Sequence, residues 1–198
     1  CADAYAVDVA IPQNSGSTVT ISPGFEFDLL FLICHGRNIP NNFSNARGSY
    51  GVATYDGTTL KQFSWDQWFQ DNVSPTVDNA QLSQSYAGGE PNAGGGLGRG
   101  ILLSVSGTDI IATTSVGNWL DADVEAVAIC MRFNNLRLFA GIISTPTTTG
   151  NATYGDPGFA PSFIEMIMTL AEAVNTGYSD GKAGAWGPRE RRSKPVDV

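Results

Sequence analysis

Four neighbouring side chains combine aromatic rings with a carboxylate: Trp65, Asp66, Trp68 and Phe69. A carbohydrate site needs this combination, because stacking on the apolar face of a sugar must be joined by hydrogen bonds to its hydroxyl groups. The same residue types also cap a sandwich or anchor a subunit interface, where tryptophan is enriched, and this structural interpretation is favoured. The sequence therefore predicts a platform for either a glycan or a neighbouring subunit.

His35 is the only histidine, so any Ser/His/Asp or Cys/His mechanism would have to use it. Cys34 directly precedes it, and consecutive side chains of a strand point to opposite faces. That geometry is wrong for a dyad, and His35 is expected to be a strand-end residue bonded to turn backbone. No catalytic residue is predicted. A hydrolase or lyase on a jelly roll has little support, because the carboxylates are dispersed.

Metal and phosphate sites are also weakly indicated. Asp121, Asp123 and Glu125 alternate in a way that could line up calcium ligands. A solvated strand entrance is favoured instead, because no glycine-centred calcium loop surrounds them. The glycines at 94–100 lack the Lys-Ser/Thr of a phosphate loop and lead into a strand instead of a helix. No metal and no cofactor are expected.

The three cysteines are Cys1, Cys34 and Cys130, which leaves at least one of them unpaired, and none lies in a CxxC pattern. Cys34 and Cys130 lie inside apolar runs, and both are interpreted as small buried hydrophobic residues. No zinc site follows from this spacing.

The composition limits the expected partners. Charged residues make up 15% of the 198 residues, below the roughly 25% of an average soluble protein. The formal net charge of −8 disfavours binding to a nucleic-acid backbone. No apolar run is long enough to cross a membrane. Other proteins and neutral glycans are the expected partners, with no nucleic acid and no membrane.

An apolar run within residues 23–34 follows a proline-glycine break and predicts a buried central strand. Residues 157–168 repeat its pattern 134 residues later. The same offset aligns the upstream residues without a gap, beginning with Tyr5 on Phe139. The sequence therefore predicts an internal repeat, with one unit at 1–133 and an incomplete second unit at 134–198 that packs against the first.

Short stretches rich in β-branched and aromatic residues predict about eight strands in the first unit. Besides the apolar run within residues 23–34, they lie at residues 5–11, 18–21, 49–55, 60–69, 101–106, 109–116 and 125–133. A hairpin-like turn is predicted between the first two, and Asp56-Gly57 is the strongest hairpin signal. Residues 35–45 and 70–100 are predicted as loops, the second of them lying along a neighbouring subunit. The strand count and spacing favour an all-β sandwich or jelly roll.

Two segments of the second unit depend on the repeat. Residues 162–174 carry apolar side chains at helical spacing, and local propensity alone would predict a helix. The repeat predicts a strand at 162–168, and we follow it because an ungapped upstream match constrains register better than weak propensity does. Residues 136–143 are predicted as the first strand of this unit.

Residues 139–168, with STPTTTGN at 144–151 and GFAP at 158–161, resemble the repeated β-sandwich, lectin-like domains of structural proteins of tailed bacteriophages. Residues 29–57, which contain SYGVA at 49–53, are similar to the strand-loop-strand portion of these domains. The sequence departs from the pattern at Phe27, where the second copy has Pro161, and in the glycine-rich segment. The resemblance implies a virion component on the capsid exterior or the tail, assembled through strand edges and loops, and it transfers no catalytic residue.

The sequence thus predicts a non-enzymatic structural protein of a phage-like virion, either a capsid-decorating or a tail-associated subunit. Its partners would be other virion proteins and copies of itself, and its location the virion or the extracellular space. The alternative is a secreted or surface carbohydrate-binding module, which depends on the tryptophans at 65 and 68.

Overall fold

A computed structural model describes residues 2–39, 42–70, 77–91, 97–116, 124–134, 138–140, 159, 163–168 and 185–190. These residues contain β-strands and no helix. The strands are β1 (Asp3–Ala10), β2 (Thr18–Ile21), β3 (Leu29–Ile39), β4 (Asn42–Tyr55), β5 (Leu60–Gln70), β6 (Val77–Ser83), β7 (Gly89–Pro91), β8 (Leu97–Ser106), β9 (Asp109–Val116), β10 (Val124–Arg132), β11 (Phe163–Met168) and β12 (Ala185–Glu190).

Ten of these strands form two antiparallel sheets. The six-stranded sheet has the order β1-β10-β3-β4-β5-β6, and the four-stranded sheet has the order β2-β9-β8-β7. Their inner faces share one hydrophobic core. The predicted all-β sandwich is therefore confirmed. The chain crosses between the sheets after β1, β2, β6 and β9, so neighbours in sequence often belong to different sheets.

The core consists of small and medium apolar side chains contributed by both sheets. Its buried members are Val9, Ile11, Ile21, Phe27, Leu30, Leu32, Cys34, Ala53, Ala87, Ile101, Leu103, Ile110, Ala112, Ala126, Ala128 and Cys130. Cys34 and Cys130 are free and buried, as predicted. Burial of this apolar surface is the main favourable term for the fold.

β3 is a central strand, as its apolar run predicts, but it is not buried on both faces. Leu30 and Leu32 are fully buried on the inner face of the six-stranded sheet. On the outer face Phe31 is half-buried, and Ile33 is 42% exposed. A continuous apolar run predicts burial on both sides, whereas the described part of the chain covers only one side fully.

The Asp56-Gly57 hairpin between β4 and β5 is confirmed. Gly57 has a φ of 87°, which glycine adopts without steric cost. Asp56 Oδ1 accepts the backbone N–H groups of Thr58 and Thr59 at 3.0 and 2.7 Å. These two hydrogen bonds lower the pKa of the Asp56 carboxyl, and the one from Thr59 has the larger effect. The turn chemistry therefore fixes the register of β4 and β5.

The predicted hairpin between the first two strands is wrong. β1 pairs with β10, whereas β2 pairs with β9 in the other sheet. The connecting turn is anchored to β9, because Gly16 N–H donates to the Thr114 carbonyl and the Thr114 hydroxyl donates to the Pro12 carbonyl, both at 2.6 Å. Turn residues predict where a strand ends, but they do not predict which strand pairs next.

The predicted loop at 35–45 is wrong for most of its length. β3 continues to Ile39 and β4 begins at Asn42, so the two strands form one long hairpin with an irregularity between Arg37 and Ile39. β4 also pairs with β5 through Asn45, opposite Gln70. Polar residues that favour turns are held extended here, because neighbouring strands supply their backbone hydrogen bonds.

The predicted loop at 70–100 is wrong for most of the length that the structure describes, and it holds only at 84–88, which lie between strands. It contains β6, β7 and the start of β8, and Ala87 is fully buried. Ala87 N–H donates to the Ile101 carbonyl at 2.9 Å, and Ile101 N–H donates to the Gly88 carbonyl at 2.8 Å. The small residues serve close backbone packing between the sheets. The predicted contact with a neighbouring subunit stays a prediction.

Gln62 joins the two sheets through its side-chain amide. Its Nε2 donates to the Leu103 carbonyl at 3.3 Å, and its Oε1 accepts the Leu103 N–H at 2.8 Å. We expect Gln62→Met to lower the free energy of unfolding by ~1–3 kcal/mol, because both backbone groups lose their partner in a partly buried site. Urea denaturation measures this change.

Gln62→Glu tests the same contact with nearly unchanged shape. At neutral pH the carboxylate still accepts the N–H but cannot donate to the carbonyl, and the protonated acid can do both. The folded state therefore favours the protonated form of the new carboxyl group. The loss in free energy of unfolding relative to wild type should shrink as the pH falls through about 4.3, the usual pKa of glutamate. An equal deficit at pH 7 and pH 4 would contradict the bidentate contact.

In the predicted second unit, β11 pairs antiparallel with β12. The strand predicted at 162–168 is therefore confirmed, and the helix that local propensity favours is wrong there. Of the strand predicted at 136–143, the structure describes only 138–140, and these three residues are not in a strand. The division of the chain at residue 133 and the packing of its two units stay predictions.

Candidate functional site

β5 separates the side chains that the sequence placed in one platform. Trp65 lies on the outer face of the six-stranded sheet, opposite Tyr50 of β4. Asp66 lies on the inner face, opposite Ser49, and is fully buried between the sheets. The two side chains cannot contact one ligand, because alternate residues of a strand face opposite sides. Asp66 must therefore be removed from the predicted platform.

The other two residues of the platform lie farther along β5. The backbone of Trp68 pairs with Arg47, and that of Phe69 pairs with Ala46. Their side chains lie outside the part of the chain that the structure describes. Trp65 is thus the one platform residue whose outward position is established.

Trp65 belongs to a continuous apolar surface, which we call the outer apolar face. It spans β10, β3, β4 and β5, and each strand contributes two side chains that are neighbours in the sheet register. Its members are Ile129, Phe31, Val52 and Phe63 in one cross-strand row, and Val127, Ile33, Tyr50 and Trp65 in the next.

The outer apolar face is partly open to solvent. Ile33 and Val127 are 42% and 38% exposed, and the other six members are half-buried. The rings of Phe31 and Tyr50 pack at a centroid distance of 5.8 Å and a tilt of 39°. The indole N–H of Trp65 is buried and has no hydrogen-bond partner within the described residues. Contiguous exposed apolar surface of this kind marks an interaction site in soluble proteins.

The inner face directly beneath Trp65 is polar. Asp66 accepts hydrogen bonds from the hydroxyls of Ser49 at 2.6 Å and Ser64 at 2.9 Å. The Ser49 hydroxyl in turn accepts the backbone N–H of Gly89 at 3.1 Å. This buried chain of contacts connects β5 and β4 of one sheet to the first residue of β7 in the other. These hydrogen bonds hold in place residues 84–88, which connect β6 of one sheet to β7 of the other and which we call the crossing segment.

Gly51 permits that crossing. A Cβ atom at this position would lie 1.6 Å from the carbonyl oxygen of Ala87. The backbone of the crossing segment therefore rests directly on β4, and only a residue without a side chain leaves room for it. Gly88 follows under similar crowding, because a Cβ added there would have atoms of Ile101, Ser49 and Cys34 all within 3.4 Å.

The nucleophilic candidates are kept apart. Cys34 is buried and His35 is exposed, on opposite faces of β3 as predicted. Burial, and secondarily the charge of Asp66, raises the pKa of the Cys34 thiol far above its usual range. Burial raises the pKa of Cys130 to about 11. Both sulfurs are therefore held as thiols at neutral pH, and the thiol is the unreactive form.

We expect both buried thiols to resist modification in the folded protein. In a Cys1→Ser background, DTNB at pH 8 should label neither Cys34 nor Cys130 during the time in which it labels both in urea. Burial and the raised pKa values oppose thiolate formation. Absorbance of the released thiolate measures the labelling. Rapid labelling of one thiol without urea would show that the inner face is accessible.

The predicted metal alternative falls mostly outside the described residues. Asp121 and Asp123 lie there, whereas Glu125 is an exposed residue of β10 opposite His35. Among the residues that the structure describes, no group of three or more His, Cys, Asp or Glu side chains could hold a metal ion. In the same ranges no helix is long and apolar enough to span a membrane.

Two features escaped prediction, namely the outer apolar face and the buried Ser49–Asp66–Ser64 cluster. In β5 the aromatic residues Phe63 and Trp65 point outward, and the polar residues Ser64 and Asp66 point inward. This inverts the usual pattern of a half-buried strand. The alternation of aromatic and polar residues is visible in the sequence. It does not indicate which of the two sets faces the core.

Comparisons of the chain with protein-family models, with curated proteins and with solved structures each found no match.

Proposed function

We propose that this chain is a non-enzymatic structural subunit of a phage-like virion, placed on the capsid exterior or the tail. The observation that carries the proposal is the outer apolar face, where β5 turns Phe63 and Trp65 away from its own core. Aromatic side chains on the outside of a sheet, with a carboxylate buried on its inside, indicate that another molecule binds to the outer side. An assembly surface fits this arrangement.

The assignment to a virion depends on the resemblance of residues 29–57 and 139–168 to phage structural domains. Two features of the sequence support it. The polar surface with few charges suits a particle that packs many copies together, and a unit used twice in one chain suits a building block. Cys34 is buried and His35 is exposed on the opposite face of β3, so the two supply no nucleophile and base in contact with each other.

Quantitative mass spectrometry of particles tests this function. Particles are purified on a density gradient from the cells that encode the chain, and the copy number of the chain is measured relative to the major shell protein. We expect it at high copy number in the particle fraction. Its absence from intact particles, with the chain present in the lysate, would overturn the proposal.

A carbohydrate-binding module is the second candidate, favoured by the position of Trp65 beside Tyr50 and Gln67 in the outer part of the sheet. The buried indole N–H of Trp65 limits this candidate, because that group cannot reach a sugar hydroxyl. A glycan array with wild type and Trp65→Ala decides it. Signal lost in Trp65→Ala supports the module, and no signal or an unchanged signal rejects it.

A further inference from the structure

We propose that the outer apolar face is the interface of a symmetric homodimer, in which it packs against the same face of a second copy. The inference rests on the proposed function, which makes copies of the chain its partners. It adds which surface pairs, in what orientation, and through which contacts. Two observations carry it, namely the distribution of apolar and charged residues and the placement of two opposite charges.

The outer apolar face supplies the centre of an interface and not the whole of it. Four strands about 4.8 Å apart and two cross-strand rows about 6.8 Å apart cover roughly 260 Å². A standard specific interface buries about 800 Å² on each partner, so the polar and charged rim around the face takes part as well.

The residues are arranged as they are in protein interfaces. The two middle rows hold the eight members of the outer apolar face, and the described charged residues lie at its margin: Lys61 and Glu125 at two corners, and the exposed Asp8 of β1 directly beside Val127. Interfaces combine an apolar, aromatic centre that is poor in charge with a polar rim. Ile33 and Val127, the two most exposed members, are neighbours in the register near the middle of the sheet.

The two charges at the corners decide the occupant. Lys61 lies on β5, one row beyond Phe63, and Glu125 lies on β10, one row beyond Val127. Both are exposed, and they occupy diagonally opposite corners of the apolar rectangle. The remaining two corners, Met131 and Gln67, carry no charge. Asp8 adds a second carboxylate on the side of the face that holds Glu125.

A two-fold axis that lies in the interface, perpendicular to this diagonal, places Lys61 of each copy over Glu125 of the other. The contact therefore forms twice, as an isologous interface requires. A pattern in which one surface is complementary to itself favours a second copy over a neutral glycan, which would gain nothing from opposite charges at opposite corners.

Sedimentation equilibrium of the full chain, over a range of concentrations, tests the proposal. Wild type is expected to form dimers. Ile33→Lys should give monomers, because it buries a charge at the centre of the interface. If the Ile33→Lys variant does not fold, Val127→Lys is the alternative and should also give monomers. Both Ile33 and Val127 are exposed side chains, so neither substitution places a charge in the core.

A charge-swap series tests the orientation. Glu125→Lys alone and Lys61→Glu alone should each raise the dissociation constant about tenfold or more, because like charges then meet at two symmetric contacts. The double variant, Lys61→Glu with Glu125→Lys, should return it to within about threefold of wild type. Lys61 also interacts with Asp56 in the adjoining turn, so Glu125→Lys is the cleaner single variant.

Glu26→Lys is the matched control, since Glu26 is exposed, precedes β3 and changes the net charge by the same amount. It should leave the dissociation constant unchanged. A folded monomer at every concentration, a dimer indifferent to both lysine substitutions, or a double variant no tighter than the singles would overturn the proposal. So would glycan binding by a monomer that is lost in Trp65→Ala.

The two proposals fail separately. A chain abundant in particles but monomeric in solution removes the homodimer and leaves the virion function. A dimer with the expected charge-swap behaviour, absent from purified particles, removes the virion function and leaves the interface.

Discussion

Replacing Gly51 with alanine is expected to destabilise the sandwich more than any other single methyl addition in β4. The new Cβ would lie 1.6 Å from the carbonyl oxygen and 2.6 Å from the carbonyl carbon of Ala87. It would also lie 3.2 Å from the carbonyl oxygen of Leu32. All three are backbone atoms, so no side chain can rotate away. The crossing segment or β4 itself must move.

Moving the crossing segment breaks further contacts. Ala87 and Gly88 are hydrogen-bonded to Ile101, and Gly89 is hydrogen-bonded to Ser49. Overpacking in a tight interior costs ~1–3 kcal/mol and more when backbone must shift, so we expect a loss of roughly 3 kcal/mol or more. Urea denaturation followed by tryptophan fluorescence and far-UV circular dichroism measures it.

Gly48→Ala is the matched control. Gly48 lies three residues earlier in the same strand, and a Cβ there would meet only the Cys34 carbonyl oxygen, at 4.0 Å. Its stability should stay within about 0.5 kcal/mol of wild type, or rise slightly because alanine loses less backbone entropy than glycine. Equal effects of the two substitutions would show that the sheets do not approach each other at Gly51.

Asp66→Ala is expected to have the second large effect. It leaves the Ser49 and Ser64 hydroxyls without their buried acceptor and creates a cavity between the sheets. The loss should be about 3 kcal/mol, because removing one member of a buried polar network leaves its partners unsatisfied. Asp66→Asn keeps the shape and one acceptor oxygen, and it should cost less than Asp66→Ala.

A double-mutant cycle with Ser49→Ala separates the contact from general repacking. If the Ser49–Asp66 hydrogen bond is real, the double variant should lose less stability than the sum of the single variants, by about 1 kcal/mol or more. Asp8→Ala, at an exposed strand position of β1, should change stability by no more than about 0.5 kcal/mol. Additive single effects would contradict the buried network.

The strands themselves were largely predictable, because local signals were strong. β9 was predicted with its observed bounds, since Ser106-Gly107 marks its start and β-branched residues fill it. The β4–β5 hairpin followed from Asp56-Gly57 alone. β11 was predicted from the repeated sequence pattern, although local propensity at the same residues favoured a helix.

The pairing of strands was not predictable from the same signals. Residues 12–16 look like a hairpin turn, yet they carry the chain from one sheet to the other. Residues 87–89 look like a flexible loop, yet they are held between the sheets. In both cases the deciding contacts come from residues far along the chain, Thr114 and Gly51 among them. Local composition therefore cannot predict such contacts.

The candidate site shows the same division most clearly in β5. The sequence by itself determined that residues 60–69 form a strand and that aromatic and polar side chains alternate along it. Only the tertiary structure decided which set faces the core. Asp66 lies opposite Ser49 and beneath the crossing backbone, where hydroxyls and an N–H satisfy polar groups, so the polar set turns inward. Phe63 and Trp65 are thereby turned outward, because a strand has two faces and a period of two residues. An alternating pattern specifies two faces but not their environment, and the environment is set by the strands and segments that pack against each face.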